Sequence, residues 1–342
     1  MLYIYLTVMR YNNSERTSYT RGRNNETMQT NETIGNRQLL YFWAFGDLHY
    51  RALPAWHEIH TKRLTPMFQD LHALWKEEGK PEFCVSPGDI IETCAQENYE
   101  VARVSLETQL SNISFYPGIG NHEYHGPDGE DPTRMATTFT SIWEKPIRYA
   151  WTTGKVACIM LDYPDPSTLA NIQRVYISQE TLTFLDTALS DFADSPTIIF
   201  LHCPLYNTVL DRDPERQRDY HSLEHFFAPE NSQEVRNILA RHDNACLYLS
   251  GHTHSGWEAP NLVCTEQLGG HPVTFVNLMS PWYTGMHTGP RISADRTTVK
   301  YVPDDPDVVT TFAVRVYDHQ VSIRVREHRT RRWLKEWVVP IL

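Results

Sequence analysis

The stretch Ala245-Cys246-Leu247-Tyr248-Leu249-Ser250-Gly251-His252-Thr253-His254 decides how the chain is read. Five largely apolar residues closed by Gly-His-x-His describe a short buried strand whose C-terminal end throws two imidazoles off a tight turn. That arrangement suits two neighbouring metal ions. Two turn histidines facing solvent would satisfy the same letters in a chain with 16 His.

The same grammar recurs four times. Leu39–Phe45 ends in Gly46-Asp47-Leu48-His49, and Phe83–Pro87 runs into Gly88-Asp89. Phe115–Ile119 leads to Gly120-Asn121-His122-Glu123, and Thr197–Leu201 ends at His202. Each is a run of β-branched, aromatic or aliphatic residues closed by an oxygen or imidazole donor. Sites in open α/β sheets gather outside the carboxyl ends of strands, so these ends describe one site.

Helical patterns separate the strands. Trp56, Ile59, Leu64, Met67, Phe68, Leu71, Leu74 and Trp75 recur at helical spacing until Gly79, a core stripe; His57, His60 and His72 on that helix read as surface or supporting residues. A second helix is expected over 95–111. The β-α-β-α-β order predicts an α/β fold with a parallel or mixed sheet covered by helices. Val156–Leu161 reads as another strand, and Ser178 caps a helix carrying Leu182, Leu185, Leu189 and Phe192. Asn231 with Glu234 forms a capping box for a helix over 232–242. Strands follow at 273–278, 310–317 and 321–327, the last two as a C-terminal β-hairpin.

Two stretches, 124–150 and 206–230, read as polar excursions. In the first, Gly126, Pro127, Gly129 and Pro132 are expected to break any regular element, and its departure from His122 makes it a wall over the site. His221 and His225 in the second are placed on the surface. Residues 11–37 are almost devoid of apolar side chains, which predicts a disordered tail over 1–37 and a single domain over 38–342.

The 342 residues carry a net charge of −11, which disfavours long nucleic acids and anionic membranes as partners. The basic cluster Arg329-Thr330-Arg331-Arg332 with Lys335 reads as a solvated hairpin edge. No apolar run approaches the roughly 18 residues of a membrane span. Leu2–Val8 has neither a preceding charge nor a following cleavage site, so no signal peptide is expected. The six Cys show no Cys-x-x-Cys spacing, and Cys84, Cys158 and Cys246 lie in apolar runs as small hydrophobes. A cytoplasmic location is expected, without a thiolate metal centre or a disulfide framework.

The collected donors are Asp47, His49, Asp89, Asn121, His202, His252 and His254. Two carboxylates, four imidazoles and an amide form an N/O set suited to Mn, Fe, Zn or Co rather than Ca or Mg. Seven ligands exceed one four-coordinate ion and fit two if a carboxylate is shared. Such a pair would lower the pKa of a bridging water, hold a phosphate oxygen and stabilise an in-line displacement by hydroxide. His122, beside Asn121, is the candidate general acid for the leaving alkoxide.

Taken together, Asp47-x-His49, Gly88-Asp89, Gly120-Asn121-His122-Glu123, His202 and Gly251-His252-x-His254 closely resemble the calcineurin-like metallophosphoesterases. All five blocks occur in the family's order over 46–254. The resemblance implies a four-layer α-β-β-α sandwich of two mixed sheets, with the centre at strand C-termini. It implies two divalent or trivalent transition-metal ions (Mn, Fe or Zn) and a small-molecule phosphate ester as substrate. One ion would take Asp47, His49, Asp89 and His254, the other Asp89, Asn121, His202 and His252, with Asp89 bridging. His122 matches the histidine that assists the leaving group.

Departures narrow the subgroup. Glu92 stands where purple acid phosphatases place a Tyr ligand, and the Arg pair that clamps phosphate in protein Ser/Thr phosphatases is missing. The layout over 172–205 resembles class III cyclic nucleotide phosphodiesterases, although Cys203 replaces the second His common there. Glu92 and Glu123 are readable as partners of ligand imidazoles or as capping residues. A small phosphodiester or nucleotide substrate leads; a phosphomonoesterase, a protein or lipid phosphatase, or a non-catalytic metal-binding scaffold remain alternatives.

Overall fold

The computed structural model describes residues 37–126, 131–163, 175–213, 218–223, 227–256, 259, 261–281, 291–292, 299–300 and 308–341. Residues 1–36 of the predicted tail, the side chain of His221 and all of His225 lie outside the described residues. The first half runs β1 (Gln38–Ala44), α1 (Pro54–Glu78), β2 (Phe83–Ser86), α2 (Gln96–Leu110), β3 (Ser114–Pro117), α3 (Pro132–Trp143), β4 (Tyr149–Thr153) and β5 (Val156–Met160). It continues through α4 (Gln179–Asp191), β6 (Thr197–Phe200), β7 (Leu210–Asp213), β8 (Arg218–His221) and α5 (Ser232–Leu239). Among the described residues, the regular elements that follow are strands: β9 (Ala245–Ser250), β10 (Val263–Leu268), β11 (His271–Asn277), β12 (Arg291–Ile292), β13 (Val299–Lys300), β14 (Thr310–Tyr317), β15 (Gln320–Glu327) and β16 (Arg332–Pro340).

Strand β1 shows how the layers arise. Leu40, Phe42 and Ala44 enter one apolar cluster, while Tyr41, Trp43 and Phe45 enter another. This is the two-residue period of a strand buried on both faces. The first cluster fills the space between two six-stranded sheets, ordered β16-β15-β14-β1-β2-β3 and β10-β11-β9-β6-β5-β4. The second lies under α1, α2 and α3, and a third packs α4 and α5 on the other sheet through Ile159, Ile199 and Tyr248. Helix, sheet, sheet and helix therefore form four layers. Strands β1, β2 and β3 run parallel, as do β5, β6, β9 and β11. Their shared direction brings the motif-bearing ends to one edge of the sandwich.

Several expectations need correction. The stretch 124–150 is not without regular structure: it contains α3 and β4. Pro132 starts the helix rather than breaking it, because its missing N–H costs nothing at the first turn. Asp131 caps it by accepting the N–H groups of Thr133 and Arg134. Within 206–230, β7 and β8 form an antiparallel ribbon. Helix α5 ends at Leu239, and Asn231 does not cap it; its amide instead pairs with both main-chain groups of Ile177, each at 2.9 Å. The C-terminal hairpin β14–β15 gains a third strand, β16. No helix among the described residues is long and apolar enough to cross a membrane.

Candidate metal centre

The loops leaving β1, β2, β3, β6 and β9 meet at that common edge. Asp47, from the first sheet, accepts the backbone N–H of His252, from the second, through both carboxylate oxygens at 3.2 and 3.0 Å. This approach requires Gly251, since a Cβ there would stand 2.2 Å from Asp47 Oδ1. Gly120 is needed for a similar reason, because its Cβ would stand 2.3 Å from Asp89 Oδ1. His49, Asp89, His252 and His254 all adopt positive φ, at 50°, 52°, 71° and 50°. A left-handed conformation at four non-glycine residues is local strain that the surrounding structure must hold.

The seven sequence-selected donors are brought together. Single donor atoms from Asp47, His49, Asp89 and His254 all lie within 4.8 Å of one another, as do those of Asp89, His202 and His252. Asp89 belongs to both groups. His254 Nε2 stands 2.8 Å from Asp47 Oδ2 and 3.1 Å from His49 Nε2. His202 Nε2 lies 3.1 Å from both Asp89 Oδ2 and Asn121 Oδ1. Asp47, His49 and His202 are fully buried. Two buried carboxylates ringed by imidazole nitrogens and an amide oxygen fit a pair of cations by donor chemistry and by their division into two sets sharing Asp89.

The charges agree with that fit. Burial pushes the Asp47 carboxyl up, but the His254 imidazole overrides it and holds it below the usual range. Asp89 is held well below that range against burial, chiefly by His202 and His122. Burial lowers His49, as does the neighbouring His122 charge, which leaves its ring neutral as a ligand must be. His122 is raised to about 9, because Asp89 and Glu92 outweigh its burial. Its Nδ1 donates to the Glu92 carbonyl at 2.7 Å, and its Nε2 faces Asp89 Oδ2 at 3.9 Å.

Both glutamates left open by the sequence prove to be supports. Glu92 Oε2 stands 3.1 Å from His49 Nδ1, which orients the ring with Nε2 toward the cluster. Glu123 is fully buried and accepts backbone N–H groups from Asp89, Ile90, Ile91 and Gly120. Burial and the Asp89 charge push its carboxyl up to about 7. His60 is buried and donates to the Leu48 carbonyl at 2.7 Å, whereas His57 and His72 are exposed. Sequence reading missed Asn277 and Ser280. Asn277 bonds Thr253 Oγ1 and the Gly251 carbonyl, each at 2.7 Å, and Ser280 donates to the Asp47 carbonyl at 2.6 Å. Asn277 closes an apolar strand with an amide, the same signal that singled out Asn121. All six cysteines are free.

Comparison with known proteins agrees with this geometry. The model of the calcineurin-like phosphoesterase family matches residues 40–256. The chain belongs to that family. It is 26 % identical over 190 residues to the glycerophosphodiester phosphodiesterase GpdQ of Enterobacter lignolyticus (strain SCF1). That match covers 52 % of this chain and 57 % of the relative's length. A dimetal phosphatase from Danio rerio shares the fold with a TM-score of 0.58 at 15 % identity, over 90 % of this chain and all of that one. GAP50, the anchor in the inner membrane complex of Plasmodium, shares it at 0.54 and 14 % identity, over 90 % of each chain.

Proposed function

We propose that the chain hydrolyses small phosphodiesters or nucleotides with two transition-metal ions, Mn, Fe or Zn. The observation that carries this reading is the membership of Asp89 in both donor sets. Asp47, His49, Asp89 and His254 hold one ion; Asp89, Asn121, His202 and His252 hold the other. Bound there, the two cations supply the Lewis acidity that activates water at neutral pH and draws charge off the phosphoryl oxygens. His122 Nδ1 is committed to the Glu92 carbonyl, so Nε2 carries the proton to the leaving oxygen. In the metal-free site Asp89 and Glu92 raise the His122 pKa to about 9. Glu92 fixes the His49 ring. The diester preference draws support from the GpdQ likeness. Six free thiols fit a reducing compartment such as the cytoplasm. The domain reading, a tail over 1–37 and one catalytic domain over 38–342, is part of the same proposal.

The test is hydrolysis of bis-p-nitrophenyl phosphate by Mn-loaded protein. The wild type turns over and Asp89→Asn loses at least about 1,000-fold. Equal, slow rates in both would refute catalysis at this centre and favour a non-catalytic scaffold.

A further inference from the structure

The rings of the site form two arms. One runs from His254 to His49 with centroids 5.0 Å apart, then to His122 at 4.5 Å and His125 at 4.9 Å. The other runs from His202 to His252 at 5.0 Å and ends on Phe227, whose half-buried ring lies 5.6 Å from His252 at an interplanar angle of 61°. Tyr163 also touches His202 and His252, with centroids 5.8 and 6.2 Å away, but it is buried, whereas the ring of Phe227 is half-buried. Phe227 touches the arm that does not carry His122, which the proposed function makes the donor to the leaving group.

Among the described residues, the exposed large apolar side chains are Val104, Tyr176, Tyr206, Leu223 and Val338. Tyr176, Tyr206 and Leu223 ride on backbone segments hydrogen-bonded to one another and to the stretch that follows Phe227. Glu230 N–H bonds the Val175 carbonyl, Tyr206 N–H bonds Ser232 Oγ, and Asn207 N–H bonds the Ser222 carbonyl. Apolar side chains of this size are held in water at a cost.

We propose that Phe227 is a specificity-determining residue, the apolar wall that receives the ester group retained on phosphorus when that group presents a flat, aromatic face. This rests on the function proposed above. In an in-line displacement the retained ester group of a diester lies equatorial, across the line of attack, and a group that turns toward the His252 arm meets Phe227. An aromatic ring there meets Phe227 edge-on or offset, a contact favourable beyond the area it buries. A methyl substituent buries too little surface to use that wall.

The test compares phenyl p-nitrophenyl phosphate with methyl p-nitrophenyl phosphate, which share a leaving group and differ in the retained one. Wild-type protein should favour the phenyl ester in kcat/KM, and Phe227→Ala should reduce that phenyl-to-methyl ratio by about 10-fold, carried by KM. Phe227→Leu keeps apolar bulk and should fall between them, which controls for folding. Calorimetric titration of the Mn-loaded protein with phenyl phosphate and methyl phosphate reads the same preference without turnover, and Phe227→Ala should erase it. A ratio that does not move in either assay, or an equal loss on both esters, overturns the assignment. If wild type hydrolyses neither diester yet binds phenyl phosphate through Phe227, the proposed function fails and the specificity role falls with it, leaving Phe227 as an aromatic-binding wall only.

Discussion

Glu123 Oε2 accepts the backbone N–H of Asp89 at 2.9 Å, so the residue shared by both donor sets is held in its left-handed conformation by a buried carboxylate. The same carboxylate holds Ile90, Ile91 and Gly120, binding the loops after β2 and β3 to each other. Replacing Glu123 by Gln sets an amide NH2 against N–H donors. The expected outcome is a loss of about 2 kcal/mol in urea unfolding of apo protein and a drop of about 10–100-fold in Mn affinity by titration. Unchanged values in both would mean the loops hold their shape without it.

His122 supplies the second prediction. A His122→Asn variant should bind metal as the wild type does and lose about 100- to 10,000-fold in kcat. The loss should be larger for an alkyl leaving group than for p-nitrophenolate, which departs without a proton. A uniform loss across leaving groups would point to a role in charge stabilisation rather than proton donation.

Gly251 gives a test that touches no donor. An added methyl would meet Asp47 Oδ1 at 2.2 Å and push the carboxylate aside. Gly251→Ala should therefore retain about one ion per chain where the wild type holds two, read by elemental analysis after gel filtration. Full occupancy in the variant would show that the Asp47 position is not critical.

Away from the site, Asp70 on α1 takes Arg326 in a bidentate pair at 2.7 and 2.8 Å, with His328 at 3.0 Å on its other side. Burial pushes the Asp70 carboxyl up, but Arg326 and His328 override it and hold it at about 2, below its ordinary 3.8. A carboxylate depressed on folding stabilises above its unfolded value and loses that contribution as pH falls through its folded value. Wild type should exceed Asp70→Asn by about 3 kcal/mol at pH 5. The gap should close between pH 4 and 2 when both are unfolded in urea without metal. A constant gap would show that the charge on Asp70 does not matter.

The central strands were legible because burial on both faces writes a continuous apolar run, and the common edge of the sandwich closes each run with a donor. Strands β4, β10 and β16 were not, since each is the outermost strand of its sheet and its residues are mostly half-buried or exposed. All seven donors and His122 could be selected from sequence, because short motifs fixed them relative to their strands. Glu123 and Glu92 could be noticed but not assigned, for their partners are backbone groups and an imbedded imidazole face that only folding brings near. Phe227 carried no signal at all: its meaning comes from His252, 25 positions later in the chain. Helix α3 was misread because Pro132 was taken as a breaker when its place after the Asp131 cap made it a starter.

The sharing of Asp89 is the claim on which the rest depends. Crystals grown with Mn and measured at the Mn edge should give two anomalous peaks roughly 3.5–4 Å apart, both within bonding reach of Asp89, one beside His49 and His254 and the other beside Asn121, His202 and His252. A single peak, or two peaks of which one does not touch Asp89, would contradict it.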